Sequence, residues 1–238
     1  MIFSEVARVT LRALLGRRRT ILMLLLAGIP ILVGLLVRAN SSGVSDVGPT
    51  LDGLVIRIVL PLVALVFGTA ALGSELEDGT AVHLLTKPIR RSTIVLAKVA
   101  VAGTLTALLL VPSTVIAALL IGRAGVGSEA ALAMGVGVLV GSYVYVAVFA
   151  TLSVLTSRGL IIGLGYALIW EGLLAGVLPG SQAFSVREYV RGIAELLAPS
   201  TMDSMGGGAG ALYAAVALVA AIVIGSLRLA AYEVRGAE

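Results

Sequence analysis

A carboxylate inside an apolar run is the first feature that could do chemistry. Glu171 stands in Ala-Leu-Ile-Trp-Glu-Gly-Leu-Leu, about seven residues from the outer end of its run, or roughly 10 Å deep at a helical rise of 1.5 Å per residue. An unpaired carboxylate in hydrocarbon is costly, so it must face a cavity, hold a proton or find a partner. Arg57 is the natural partner, one turn inside the outer end of another apolar run, with a side chain long enough to reach along its helix. The two residues are expected to meet as an outer-gate pair, a substrate contact or a structural helix-to-helix pair, unless each snorkels alone. A proton carried by Glu171 would instead make a proton-coupled secondary transporter. Tyr143, Tyr145, Tyr166 and Trp170 could add pathway contacts or serve as packing and interface anchors.

Other chemistries lack their residues. Cysteine is absent and His83 is the only histidine, which excludes disulfides, thiolate catalysis and multi-histidine metal sites. A serine protease of the membrane interior would need a buried serine–histidine pair, yet His83 sits in the loop between the second and third apolar runs. Glu75, Glu77 and Asp78 imitate a metal cluster, but their order fits a loop better. A phosphate loop needs G-x-x-x-x-G-K-[ST]; Lys87 and Lys98, the only lysines, follow Thr86 and Ala97. The chain is therefore expected to be non-catalytic, with no cofactor or metal of its own, and any ATP and magnesium would be bound by another polypeptide.

The elements that position these residues are membrane spans. Of the 238 residues 59% are hydrophobic and 13% charged, with mean hydropathy +1.10, against about 25% charged residues in a soluble domain. Apolar runs at about 20–37, 54–73, 93–121, 130–156, 159–179 and 208–228 are each long enough to cross a core of about 30 Å as a helix. They lack the alternation of barrel strands. The fold class is thus all-α integral membrane, a single membrane domain over 1–238 with six transmembrane helices. Arg17-Arg18-Arg19 before the first run and Val37-Arg38-Ala39 after it loosely imitate a secretory signal; the segment is expected to stay as a span.

Charge sets the orientation. Arg8, Arg12, Arg17, Arg18, Arg19, Lys87, Arg90, Arg91, Lys98, Arg158, Arg228 and Arg235 fall on one side, and Arg38, Arg57, Arg123, Arg187 and Arg191 on the other. Twelve against five puts both termini in the cytoplasm by the positive-inside rule. The net charge of +4 then follows from topology, and nucleic acid is not expected as a partner. Within the stretch 1–19, residues 2–14 place Ile2, Phe3, Val6, Val9, Leu11 and Leu14 opposite Glu5, Arg8 and Arg12, the pattern of an amphipathic interfacial helix. In the outer segment 180–207, Arg187, Glu188, Arg191 and Glu195 alternate with apolar residues, which predicts a short amphipathic helix ending before Pro199. It is either a surface helix or one that dips into the outer leaflet and lids an exit. Glycine pairs 137/141, 159/163 and 172/176 predict close helix packing.

Between the second and third runs, residues 74–92 concentrate Glu75, Glu77, Asp78, His83, Lys87, Arg90 and Arg91. Asp78-Gly79 makes a turn, Thr80 can cap a short helix bearing Val82, Leu84 and Leu85, and Pro88 helps end it. A short two-faced helix at the ends of two spans suits docking to a soluble partner, although a solvated positive-inside loop has the same composition.

The string ELEDGTAVHLLTKPIRRSTIVLAK resembles the inner loop of ABC-2 transporter permeases, E-x-x-x-G-T-x-x-x-L-L-T-x-P-[IV]-x-R followed by a lysine in the next span. Glu75, Gly79, Thr80, Leu84, Leu85, Thr86, Pro88, Ile89, Arg91 and Lys98 occupy the matching positions. The resemblance implies a type V exporter subunit in the cell membrane, paired with a second permease as a homodimer above two copies of a cytoplasmic ATPase. It implies that 74–92 is the ATPase-coupling loop, with Glu75, Glu77, Asp78, Gly79, Thr80, Leu84, Leu85, Lys87, Pro88 and Arg91 at that interface. It also implies that the second and fifth spans, with Arg57 and Glu171, face the pathway. An apolar lining suits an amphipathic or hydrophobic substrate. The alternatives are the proton-coupled transporter and a membrane-anchoring assembly subunit that recruits an ATPase.

Overall fold

A computed structural model describes residues 2–40, 47–77, 90–175, 181–199, 204 and 206–231. They are helical almost throughout, as backbone groups in lipid must bond within their own segment. The first helix, α1 (Ile2–Leu14), is amphipathic, with Val6 and Leu14 buried and Val9 and Leu11 exposed. The first span, α2 (Arg17–Asn40), continues through Pro30. The second, α3, is α-helical over Val47–Leu51, π-helical over Asp52–Val59 and α-helical again over Leu60–Glu77. Then come α4 (Arg91–Ile121) and α5 (Arg123–Leu155). The next helix, α6, is α-helical over Gly159–Gly165 and π-helical over Tyr166–Leu174. A 3-10 turn at Ser181–Phe184 leads into α7 (Val186–Leu197), and α8 is Gly207–Ala230.

Five of these helices, α2, α3, α4, α5 and α8, are long and apolar enough to cross a membrane. The sixth expected span, α6, is a shorter apolar helix over Gly159–Leu174, because the described helix stops well before residue 179.

The bundle is organised around α5, which packs against α3, α4, α6, α7 and α8. Burial follows this order: 67% of the apolar window is covered in α3 and α5 but only 22% in α2 and α8, so the latter two form the periphery. Helices approach closely where side chains are small. Gly68 of α3 lies against Val146 and Phe149 of α5, and Gly34 of α2 against Ala117 of α4. Most buried hydroxyls are spent within their own helix: Thr69, Thr106, Thr114 and Ser142 each donate to the carbonyl four residues back, which satisfies them without any partner helix.

Candidate functional site

The two ends of the bundle carry different polar groups. At one end the C-terminus of α3 meets the N-terminus of α4. Lys98, 1% exposed, donates from Nζ to the carbonyl of Ala71 at 2.6 Å. This ties together the two helices that flank the segment 74–92. Arg91 begins α4 and is partly buried. The backbone of Glu75 and Glu77 is the last turn of α3, whereas Asp78, Gly79, Thr80, Leu84, Leu85, Lys87 and Pro88 lie outside the described residues.

At the other end, α7 lies across α3, α5 and α8 and is tied to α6. Glu171 is fully buried. Its Oε1 accepts from the Tyr166 hydroxyl at 2.8 Å and from the Val186 backbone N–H at 2.8 Å, and its Oε2 accepts from Ser185 Oγ at 2.6 Å. Ser185 is the N-cap of α7 and also accepts from Glu188 N–H at 3.3 Å. The carboxylate therefore sits on the unsatisfied N–H groups at the positive end of α7, where an anion is stabilised.

The π winding makes this arrangement possible. Tyr166 and Glu171 are five residues apart, which on an α-helix puts them about 140° from each other at 3.6 residues per turn. A π-helix closes its bonds at that spacing, as the Ala175 N–H shows by donating to the Trp170 carbonyl at 2.8 Å. Tyr166 Oη also lies 3.1 Å from the Phe184 carbonyl, to which Trp170 Nε1 donates at 3.1 Å. Tyr166, Trp170 and Glu171 together hold the approach to α7.

Arg57 and Glu171 lie at the same level but do not pair. The Arg57 guanidinium is exposed and donates to the carbonyl of Gly172. That carbonyl belongs to the last turn of α6, at the negative end of the helix, where a cation complements orphan acceptors. The C-terminal end of α6 and the N-terminal end of α7 thus stand side by side, one negative and one positive, and each charged residue caps one of them. Tyr145 and Tyr143 have packing roles: Tyr145 is fully buried and stacked on Phe149 with centroids 5.8 Å apart, and Tyr143 is hydrogen-bonded to Thr104 at 2.9 Å.

Two residues that composition did not single out complete the site. Asp52, in the first turn of the π segment of α3, forms a two-pronged bond with Arg187, whose Nε donates to Oδ1 at 3.1 Å and whose Nη2 donates to Oδ2. Arg191 approaches the same carboxylate at 3.9 Å and donates to Glu188 at 2.6 Å. Burial opposes the Arg187 charge, but the hydrogen bond and charge of Asp52 outweigh it and hold the guanidinium more firmly protonated than free arginine. Ser185 had a readable signal, since Ser185-x-x-Glu188 is a helix-capping pattern. Asp52 had only its place at the head of an apolar run. Packing finishes the docking of α7: Val190 fits the notch left by Gly137 and Gly141 of α5, and Gly192 meets Gly210 of α8 backbone to backbone.

Residues 15–173 match the model of the ABC-2 family transporter protein family, which is more than half of the 238-residue chain. The chain belongs to the ABC-2 family. It is a multi-pass membrane protein and the membrane permease of an ABC transporter, a class that works with an ATPase partner. No curated protein matches the chain. The matched region of this ABC-2 permease takes in α2 to α5, the segment 74–92, Arg57 and Glu171. It ends within the π segment of α6, so α7, which Glu171 anchors, lies beyond it.

Proposed function

We propose that this permease exports an amphipathic or hydrophobic substrate from the cell membrane, driven by a separate ATPase that docks on residues 74–92. The observation that carries the reading is the family match across that segment, joined to the local geometry. Lys98 fastens α4 to α3 just behind the segment, so a force applied there is delivered to both helices at once. In this reading the chain is non-catalytic, both termini are cytoplasmic, α1 lies in the inner interface, and six spans pair with those of a second copy above two ATPase subunits. The ATPase, rather than this chain, holds ATP and magnesium. Glu75, Glu77, Asp78, Gly79, Thr80, Leu84, Leu85, Lys87, Pro88 and Arg91 form the coupling surface.

At the outer end α7 acts as a lid, with Glu171 its latch and Arg57 the cap on the adjoining end of α6. A proton-carrying role for Glu171 gains no support from the geometry. The residue is sealed from solvent with its oxygens on three donors, whereas a proton carrier must meet water.

The test is a pull-down from gentle detergent, comparing the tagged chain with a Leu84→Asp, Leu85→Asp, Arg91→Asp variant in the presence of co-expressed ATPase subunits. The wild type is expected to recover ATP-hydrolysing activity. The variant, with an unchanged elution profile and unchanged Trp170 emission, is expected not to. Recovery by neither chain would remove the coupled-permease reading; equal recovery by both would place the ATPase contact elsewhere.

A further inference from the structure

At the Lys98 end of the bundle a cavity of about 190 Å³ is bounded by four helices. Arg19 of α2 supplies a cation at its wall, Thr69 of α3 and Ser153 of α5 supply hydroxyls, and Leu160 of α6 supplies an apolar side. The lining includes no carboxylate among the described residues. Both hydroxyl protons are committed to their own helices, Thr69 Oγ1 to the Leu65 carbonyl at 2.7 Å and Ser153 Oγ to the Ala150 carbonyl at 2.7 Å. Their oxygens are therefore left as acceptors. The cavity thus offers a fixed positive charge beside hydrogen-bond acceptors, which suits a ligand that is an anion and a donor together.

Its size narrows the choice. A water occupies about 30 Å³ of liquid and a drug-sized pocket starts near 300 Å³, so this space suits a group of several heavy atoms. Its surroundings narrow it again. Leu22, one turn beyond Arg19 on the same side of α2, is 52% exposed, and Leu160 is also 52% exposed, so apolar surface runs on from the cavity on both sides. In a membrane protein that surface faces acyl chains.

We propose that this cavity binds the headgroup of an anionic glycerophospholipid, with the phosphate diester on the Arg19 guanidinium, headgroup hydroxyls donating to Thr69 and Ser153, and the acyl chains along Leu22 and Leu160. Basic pockets between spans near a membrane surface hold anionic headgroups in this way. The site shares no lining residue with the lid.

The experiment is native mass spectrometry of the purified full chain in detergent, titrated with dioleoylphosphatidylglycerol, dioleoylphosphatidylcholine or soluble glycerol phosphate. Wild type is expected to retain phosphatidylglycerol in preference to the other two. Arg19→Ala should weaken that binding about tenfold, the worth of one charge-assisted hydrogen bond, and Arg19→Lys should restore part of it. Ala70→Leu, which fills the cavity from its wall, should weaken it comparably, with Trp170 emission reporting that the fold is kept. Arg158→Ala, an exposed arginine at the same end but outside the cavity, should have no effect. Equal loss in Arg158→Ala and Arg19→Ala, or wild-type binding by Ala70→Leu and Arg19→Ala, would overturn the site. Glycerol phosphate binding as tightly as the lipid would overturn its assignment to a membrane ligand.

Discussion

Replacing Glu171 by alanine should release α7 from the bundle without unfolding the spans. The substitution leaves the Val186 N–H buried without an acceptor, a penalty of about 1–3 kcal/mol. It also removes an anion from the helix N-terminus, worth up to about 2 kcal/mol when partly buried. Tyr166 keeps the Phe184 carbonyl and Ser185 can turn its proton elsewhere, so the local cost is about 1–5 kcal/mol, the sum of those two terms. Glu171→Gln should cost less: the amide oxygen can still accept from Val186 and Tyr166, while its NH2 can donate to Ser185 Oγ.

Two readouts apply. Trp170 is the only tryptophan and its indole is bonded to Phe184, just ahead of α7, so emission should shift toward that of a solvated indole as α7 departs. Amide hydrogen exchange over 186–197 should accelerate by about fivefold to a few thousandfold, at 1.4 kcal/mol per decade, while α3 and α5 stay protected. A double-mutant cycle identifies the partner: Glu171→Ala and Ser185→Ala should be strongly coupled, and Glu171→Ala and Arg57→Ala nearly additive. Unchanged exchange in 186–197 would refute the latch. Strong coupling to Arg57 instead of Ser185 would restore the direct ion pair expected from residue depth alone.

Breaking the second attachment by Asp52→Ala or Arg187→Ala should each loosen α7 by about 1–3 kcal/mol, less than a fully buried pair because both side chains keep some solvent contact; thermal unfolding of the single and double variants should show a non-additive pair. Gly141→Val should undock α7 by overfilling the Val190 notch, at about 1–3 kcal/mol for an overpacked contact, and shortening the knob in a Gly141→Val, Val190→Ala double variant should recover much of the exchange protection.

Much of this architecture was legible in hydropathy. The amphipathic stretch 2–14 is α1 to the residue, and the runs at 93–121 and 208–228 differ from α4 and α8 by at most two residues at each end, because long apolar segments in lipid have little choice but to be helical. The short helix before Pro199 was likewise readable from its charge spacing and appears as α7. Partner choice was not readable. Depth placed Arg57 and Glu171 at one level, and they do lie within a residue of each other's contacts, since Arg57 bonds Gly172. Which atoms they meet depends on the ends of α6 and α7 being brought together, and residue depth carries no record of that. The π segments escaped for a related reason, since a pattern read at 100° per residue cannot register a helix that closes its bonds one residue later. The glycine pairs predicted close packing but not what fills them: Gly137 and Gly141 receive a side chain from α7, while Gly172 has no side chain near it among the described residues, and Gly176 lies outside them.

The two π segments are in contact with each other, and each holds one residue more per bonded loop than an α-helix would. That surplus is a reserve of chain. Passing it along α3 or α6 would screw the remainder of the helix by about 100° and advance it about 1.5 Å, with every bond remade one partner over. In α6 such a stroke would carry Gly172 off Arg57 and Tyr166 off Glu171 together, and it would present new side chains inward without the helices tilting or parting. A motor pulling at the far end of α3 would then have a threaded shaft to turn as well as a lever to swing.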